Sequence, residues 1–166
     1  SLLQQHPNDD DLRFSLALVC LEAKAWKEAI VYLEELVERG SHVEAAHYNL
    51  ARAYEELGDI PSALIEYALV GPGNDYLPAQ ARQSDLLFKA QRAEEAATRL
   101  RQARESQPDY AIQLYLIEAE AWSKQQATER AWQLIQQALE QFPEDLNLLY
   151  TRAMLAEKRD NLTLLE

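Results

Sequence analysis

Two series of small residues run through this chain at one shared interval. Ala17, Ala51, Ser84, Ala119 and Ala153 stand 34, 33, 35 and 34 residues apart, and Ala29, Ala63, Ala96, Ala131 and Leu165 repeat the same steps. A period of this size marks one supersecondary unit copied in tandem, because a single unit cannot bury its apolar face alone whereas stacked neighbours build a continuous core. The chain therefore reads as an array of such units.

One unit shows what is copied. Residues 47–67 read HYNLARAYEELGDIPSALIEY. His47, Leu50, Ala51 and Tyr54 fall at i, i+3, i+4 and i+7 on one helical face, Gly58 with Asp59 marks a turn, and Ala63, Tyr67 and Val70 face inward from a second helix. Small residues facing each other across such a hairpin let the backbones approach, and the aromatics fill the space beside them. With only 4 Gly and 6 Pro among 166 residues and 48% apolar side chains, the composition favours helix throughout and a sizeable core. First helices are predicted near residues 9–23, 42–57, 75–90, 109–125 and 144–159. Second helices are predicted near 26–39, 60–70, 93–106, 128–141 and 162–166. The stretch GPGN at 71–74 ends a second helix early, since Gly and Pro do not continue one. It reads either as a loop irregularity or as a change in superhelical pitch that widens a groove.

At these residues the sequence resembles the tetratricopeptide repeat (TPR) family, whose pattern places Trp, Leu, Gly and Tyr on the first helix and Ala, Phe and Pro on the second. His47 stands for the Trp, Ala51 for the Gly and Tyr67 for the Phe. The unit-closing proline survives as Pro7, Pro108 and Pro143, while Ser41 and Asp75 hold the other two places. The third unit departs furthest, with Gln80, Gln83 and Ser84 on its first helix. The resemblance implies an all-α fold, a right-handed superhelical solenoid of antiparallel helix pairs. It covers 1–166 as one array: the tail of a preceding repeat at 1–8, repeats near 10–43, 44–76, 77–111 and 112–145, and a partial repeat at 146–166. Repeat proteins ordinarily finish in a polar capping helix, and neither SLLQQHPNDD nor DNLTLLE supplies one, so the chain is expected to be a window of a longer solenoid.

Charge narrows the partners. There are 16 basic and 28 acidic side chains, net −12, divided as 6 and 14 over residues 1–83 and 10 and 14 over 84–166. A field of this sign repels phosphate backbones, so nucleic acid is not an expected partner. No apolar run approaches the ~20 residues of a membrane helix, and the first residues are not a signal peptide, so this segment is not expected to insert into a membrane. Cys20, the single cysteine, lies in LALVCLEA and reads as a small buried apolar group; it cannot pair internally and leaves the redox compartment open.

The residue types that carry catalysis are not arranged for it. His42 and His47 in HVEAAH are five apart, on different helical faces, whereas zinc sites of this kind need i and i+4; His6 is remote from both. There is no nucleophile elbow and no glycine-rich phosphate loop. Glu34 with Glu35 and Glu55 with Glu56 read as solvated helix faces. No enzymatic activity, metal or other cofactor is expected. Arg99, Arg101 and Arg104 form the main basic cluster, on a second helix, and Glu95→Arg99 and Arg101→Glu105 spacings read as ordinary i,i+4 surface pairs.

TPR solenoids line their concave wall with first helices, and the resemblance implies which positions those are here. They are Phe14 and Leu18; Tyr48, Asn49 and Arg52; Arg82, Asp85 and Lys89; Leu116 and Glu120; Tyr150 and Met154. The candidate partner-binding residues are Tyr48, Asn49, Arg52, Arg82, Asp85, Lys89, Glu120 and Tyr150. Phe14 and Leu18 suit a core equally well. TPR domains that grip the acidic tails of heat-shock chaperones carry a clamp of Lys, Asn and Arg; Asn49 and Arg82 occupy two of its slots, but Asp11, Ala45 and Pro78 replace the lysines, so that function is not expected.

Helices such as LLYTRAMLAEKRDNLTLLE are also similar to the long TPR lipoproteins of proteobacterial envelopes. That resemblance implies a periplasmic adaptor whose partners include a carboxy-terminal processing protease and its cell-wall hydrolase substrates, with a cytoplasmic setting as the alternative. The function expected is a non-enzymatic scaffold or adaptor that binds a peptide or protein in a concave groove. The alternative is a self-assembly segment that forms homo-oligomers.

Overall fold

The computed structural model describes residues 1–165, and the regular elements among them are all helical. They are α1 (Leu2–Gln5), α2 (Asp10–Glu22), α3 (Trp26–Glu38), α4 (Val43–Glu56), α5 (Ile60–Ala68), α6 (Tyr76–Lys89), α7 (Ala93–Ser106), α8 (Ala111–Lys124), α9 (Thr128–Gln141) and α10 (Leu146–Leu165), with a 3-10 turn at Pro108–Tyr110 before α8. From α2 to α9 each end lies within two residues of its predicted place. The expected all-α fold is what forms.

The turn inside each repeat has one backbone design. Lys24, Gly58, Gln91 and Gln126 have φ of 58°, 79°, 63° and 62°, and they recur at the repeat spacing. At each, the next N–H reaches back five residues: Ala25 to Cys20 at 2.8 Å, Asp59 to Tyr54 at 2.9 Å, Arg92 to Leu87 at 2.8 Å and Ala127 to Trp122 at 2.9 Å. This is the Schellman ending, in which a left-handed residue lets the chain satisfy orphan carbonyls and reverse. Three of the four positions carry a non-glycine residue, held left-handed by the bonds around it.

Between repeats the stops differ. Gln107 and Phe142 precede prolines and leave the helical region, with φ, ψ of −129°, 71° and −128°, 65°, since a following proline disfavours the α conformation. Where Ser41 replaces the proline, Gly40 and His42 take φ of 68° and 52° instead. Side chains then restart the helices: Asp9 accepts from the Leu12 N–H at 2.9 Å, Asp59 from Ser62 at 3.2 Å and Asp145 from Leu148 at 2.9 Å.

The predicted break near 160 does not form; α10 continues to Leu165, and residue 166 lies outside the described residues. Asp160 stands 34 residues after Gln126, where a left-handed turn is due by register.

The chain forms two compact units, Ser1–Gln83 and Ser84–Glu166. In unit 1, α2 packs on α3, α3 on α4 and α4 on α5. Their core is Ala17, Leu21, Ala29, Leu33, Leu36, Ala46, Leu50 and Ala53, with Phe14, Cys20, Trp26 and Tyr54 against it. Arg13 is buried beside this core, its guanidinium bonded to Asp10, Glu35 and the Pro7 carbonyl at 2.8–3.0 Å. In unit 2, α7 packs on α8, α8 on α9, and α10 on both α8 and α9, around Leu100, Leu114, Ala119, Ala131, Ile135, Ala138 and Leu148. The small-residue series is buried through Ala131, as close helix approach demands, and is exposed at Ala153 and Leu165. Ser84, in the third repeat's small slot, has a buried hydroxyl with no hydrogen-bond partner.

Candidate functional site

In unit 1, α4 and α6 bring four of the predicted residues into one connected group. Tyr48, Asn49 and Arg52 share a face of α4, one turn apart, and Arg52 is exposed with its guanidinium 5.9 Å from the centre of the Tyr48 ring. Its Nη1 also donates to Asn49 Oδ1 at 3.3 Å. Asn49 itself is buried and donates to the Ala45 carbonyl at 2.8 Å, so it orients Arg52 and presents little surface of its own. The Tyr48 ring lies 6.0 Å from that of Tyr67, whose hydroxyl donates to Glu55 at 2.8 Å. Glu55 in turn is paired with Arg82.

Two residues that sequence reasoning did not assign, Tyr67 and Glu55, therefore tie Arg82 on α6 to Tyr48 on α4. Burial first, and then its hydrogen bond to Glu55, hold the Tyr67 phenol well above its ordinary pKa of 10.0. It remains a neutral donor at physiological pH. Nearby, Tyr54 is pushed up to about 12 by burial and by its bond to Glu34. His47 fills the slot predicted for it: its Nδ1 lies 2.7 Å from Glu66 Oε2, with the ring largely buried. Phe14 stacks on His42 at 4.7 Å, whereas Leu18 is exposed.

In unit 2, Asp85 and Lys89 pair with each other along α6 at 2.9 Å. Glu120 on α8 and Tyr150 on α10 meet in a cleft of about 740 Å³. Its apolar lining includes Leu116, Tyr150 and Met154, of which Tyr150 and Met154 are exposed. Polar groups rim it: Lys124 reaches Glu120 at 3.2 Å, and Lys158 donates to Ser123 at 2.8 Å. Ser123, Lys124, Asn147, Thr151 and Lys158 were not singled out by sequence, although each lies three or four residues from a residue that was. An apolar floor with a charged rim suits an inserted apolar or aromatic side chain followed by polar backbone.

The arginine cluster on α7 does not behave as its spacing suggests. Arg99 pairs with Glu95 at 2.9 Å as expected, and the two flanking arginines, Arg92 first, hold Glu95 below the usual carboxylate pKa. Arg101 makes no ion pair with Glu105 or with any other described residue. Arg104 is not a surface residue at all: its Nη1 donates to buried Glu118 Oε1 at 2.8 Å, and its guanidinium lies 4.1 Å over the Tyr115 ring. Trp122 completes the group by donating to Glu118 Oε2 at 3.1 Å. Among the described residues no cluster of His, Cys, Asp and Glu could hold a metal ion, and no helix is long and apolar enough to cross a membrane.

Comparison with known proteins fits this geometry. Two tetratricopeptide repeat family models match residues 21–75 and 82–145. The chain is 69% identical, over 124 residues, to "TPR repeat-containing protein PA4667" of Pseudomonas aeruginosa, a match that covers 75% of the chain and 21% of that relative. The chain thus spans about a fifth of the relative's length.

Proposed function

The chain belongs to the tetratricopeptide repeat family, and we propose that it is a non-enzymatic adaptor that seats a peptide or protein partner on the faces of its first helices. A protein interaction scaffold is the general role of such repeats. The observation that carries the finer reading is the cleft between α8 and α10, where two successive first helices leave Tyr150 and Met154 exposed over an apolar floor. In unit 1 the exposed Arg52, braced by Asn49 and Tyr48, offers a cation to the carbonyls or carboxylates of the same class of ligand. The bacterial relative supports a bacterial setting. The periplasmic location and the protease and hydrolase partners belong to this proposal through the likeness to envelope TPR lipoproteins.

Selection of a random displayed peptide library on this chain tests the reading whatever the partner is. Enriched peptides should carry an aromatic or apolar anchor, and their binding should fall in Tyr150→Glu/Met154→Glu or in Arg52→Glu. Undiminished binding by all of these folded variants would remove both faces from the proposal.

A further inference from the structure

We propose that unit 2 carries a second site, a carboxylate-binding pocket between α7, α8 and α9. It does not rest on the first-helix reading above. Helix α8 divides its residues between two hollows: Leu116 and Glu120 line the cleft towards α10, and Glu118 lies at the other, between α7 and α9. This second hollow, a groove open to solvent, has a volume of about 300 Å³, room for a carboxylate with the atoms that carry it. Arg101, Arg104, Arg130, Glu94 and Glu118 all line it, so it is net positive by one in a chain of net charge −12.

Four of those five charges are already committed. Arg104 is paired with Glu118. Arg130 holds Glu94 through both guanidinium nitrogens, its hydrogen bond keeping that carboxylate below its ordinary pKa, while its own guanidinium lies 4.0 Å over the Trp122 ring. Arg101 alone has no partner among the described residues. Beside it Gln133 and Gln137 bring side-chain amides to the same wall, while the Thr98 hydroxyl, also on that wall, donates to the Glu94 carbonyl at 2.9 Å. An exposed guanidinium without an anion, beside two side-chain amides and between the buried Arg104–Glu118 pair and the exposed Arg130–Glu94 pair, is arranged to receive a single negative charge.

The inventory also decides between anions. A phosphate dianion would face Glu94 and Glu118 across the pocket with one surplus positive charge to meet it, whereas a carboxylate balances that surplus. The carboxylate can come from a chain terminus or from an Asp or Glu side chain.

Nitrogen-15 NMR titration of the chain separates these sources. The probes are N-acetylglycine, with a terminal carboxylate only; N-acetylglutamate α-amide, with a side-chain carboxylate only; and N-acetylglutamine amide as the neutral control. At least one of the two carboxylates should move the amides of Thr98, Arg101, Gln133 and Gln137 saturably, and the control should not. The carboxylate that binds more tightly identifies the source. Arg101→Gln should weaken the interaction roughly twofold to fivefold, the loss expected for an ion pair to an exposed side chain. Arg99→Gln, whose side chain does not line the pocket, should leave it unchanged. No saturable shift by either carboxylate in the tens of millimolar, an equal response to the neutral control, or equal affinity in a well-folded Arg101→Gln would overturn the proposal.

Discussion

Replacing Glu118 by leucine should be among the most damaging single changes in unit 2. The Arg104 and Glu118 side chains are 8% and 6% exposed, and their contact is 2.8 Å. Without the carboxylate, the Arg104 guanidinium stays buried against Tyr115 with no anion, and the Trp122 indole loses the acceptor it reaches at 3.1 Å. Stranding one charge of such a pair costs about 3–5 kcal/mol, which for a chain of this size lowers the thermal midpoint by roughly 6–20 °C. The double variant Arg104→Met/Glu118→Leu removes both charges and should recover most of the loss, because an apolar pair of similar volume serves a buried site as well as an ion pair does. Thermal melts followed by circular dichroism at 222 nm read both effects, with Arg101→Gln as a surface control that should melt like the parent. A Glu118→Leu midpoint within a degree of the parent, or a double variant as unstable as the single, would refute the buried-pair reasoning.

Other consequences follow from the same architecture. Ala63 is fully buried between α4 and α5, so Ala63→Leu should overpack the hairpin and cost on the order of 1–3 kcal/mol in urea denaturation; an unchanged midpoint would contradict the repeat register. Gln91→Gly/Gln126→Gly relieves two left-handed non-glycine residues and should raise stability by about 1 kcal/mol in total, the strain relieved outweighing the added freedom of the unfolded chain. Asp10, held chiefly by Arg39, Glu94 by Arg130 and Glu95 by Arg92 have pKa values lowered from 3.8, 4.5 and 4.5. Their stabilising contribution is therefore complete above those unfolded values and disappears as pH falls through the lower folded ones. The midpoint should begin to drop as pH falls below about 4.5, less steeply in Arg130→Gln; an identical acid limb in that variant would count against the Glu94 pair.

The periodic part of the fold was legible in the sequence because hairpin packing is local. Close approach of two helices needs a small residue at one position in each, and Ala29, Ala63, Ala96 and Ala131 record that need at a fixed interval. The turn residues were less legible. Gly58 announces its left-handed backbone, but Lys24, Gln91 and Gln126 take the same conformation under the pull of the five-residue-back hydrogen bond, with no signal in the side chain. Arg104 was misread for a different reason. Four-residue spacing finds partners along a helix, whereas its partner Glu118 lies 14 residues away on α8. On the proposed binding faces, the first-helix register picked out Glu120 and Tyr150, which meet in one cleft, and the Arg52 group of α4. Tyr67 was legible as an inward-facing residue and is fully buried, but Glu55, read as part of a solvated face, is instead held by Tyr67 and Arg82, a part set by contacts across helices that spacing along one helix does not show.

The adaptor reading places its partner on the first-helix faces, apart from the carboxylate pocket proposed between α7, α8 and α9. Photo-crosslinking in native cells tests it most directly, with p-benzoylphenylalanine placed one position at a time in the full-length protein. Positions 52, 150 and 154 report the first-helix faces, and the exposed Val31 of α3 and Ile65 of α5 report the second-helix faces. A discrete crosslinked protein is expected from the first group, identified by mass spectrometry and lost when Arg52→Glu or Tyr150→Glu is combined with the neighbouring probe, and none from the second group. A partner captured from positions 31 and 65 but not from positions 52, 150 and 154 would contradict it.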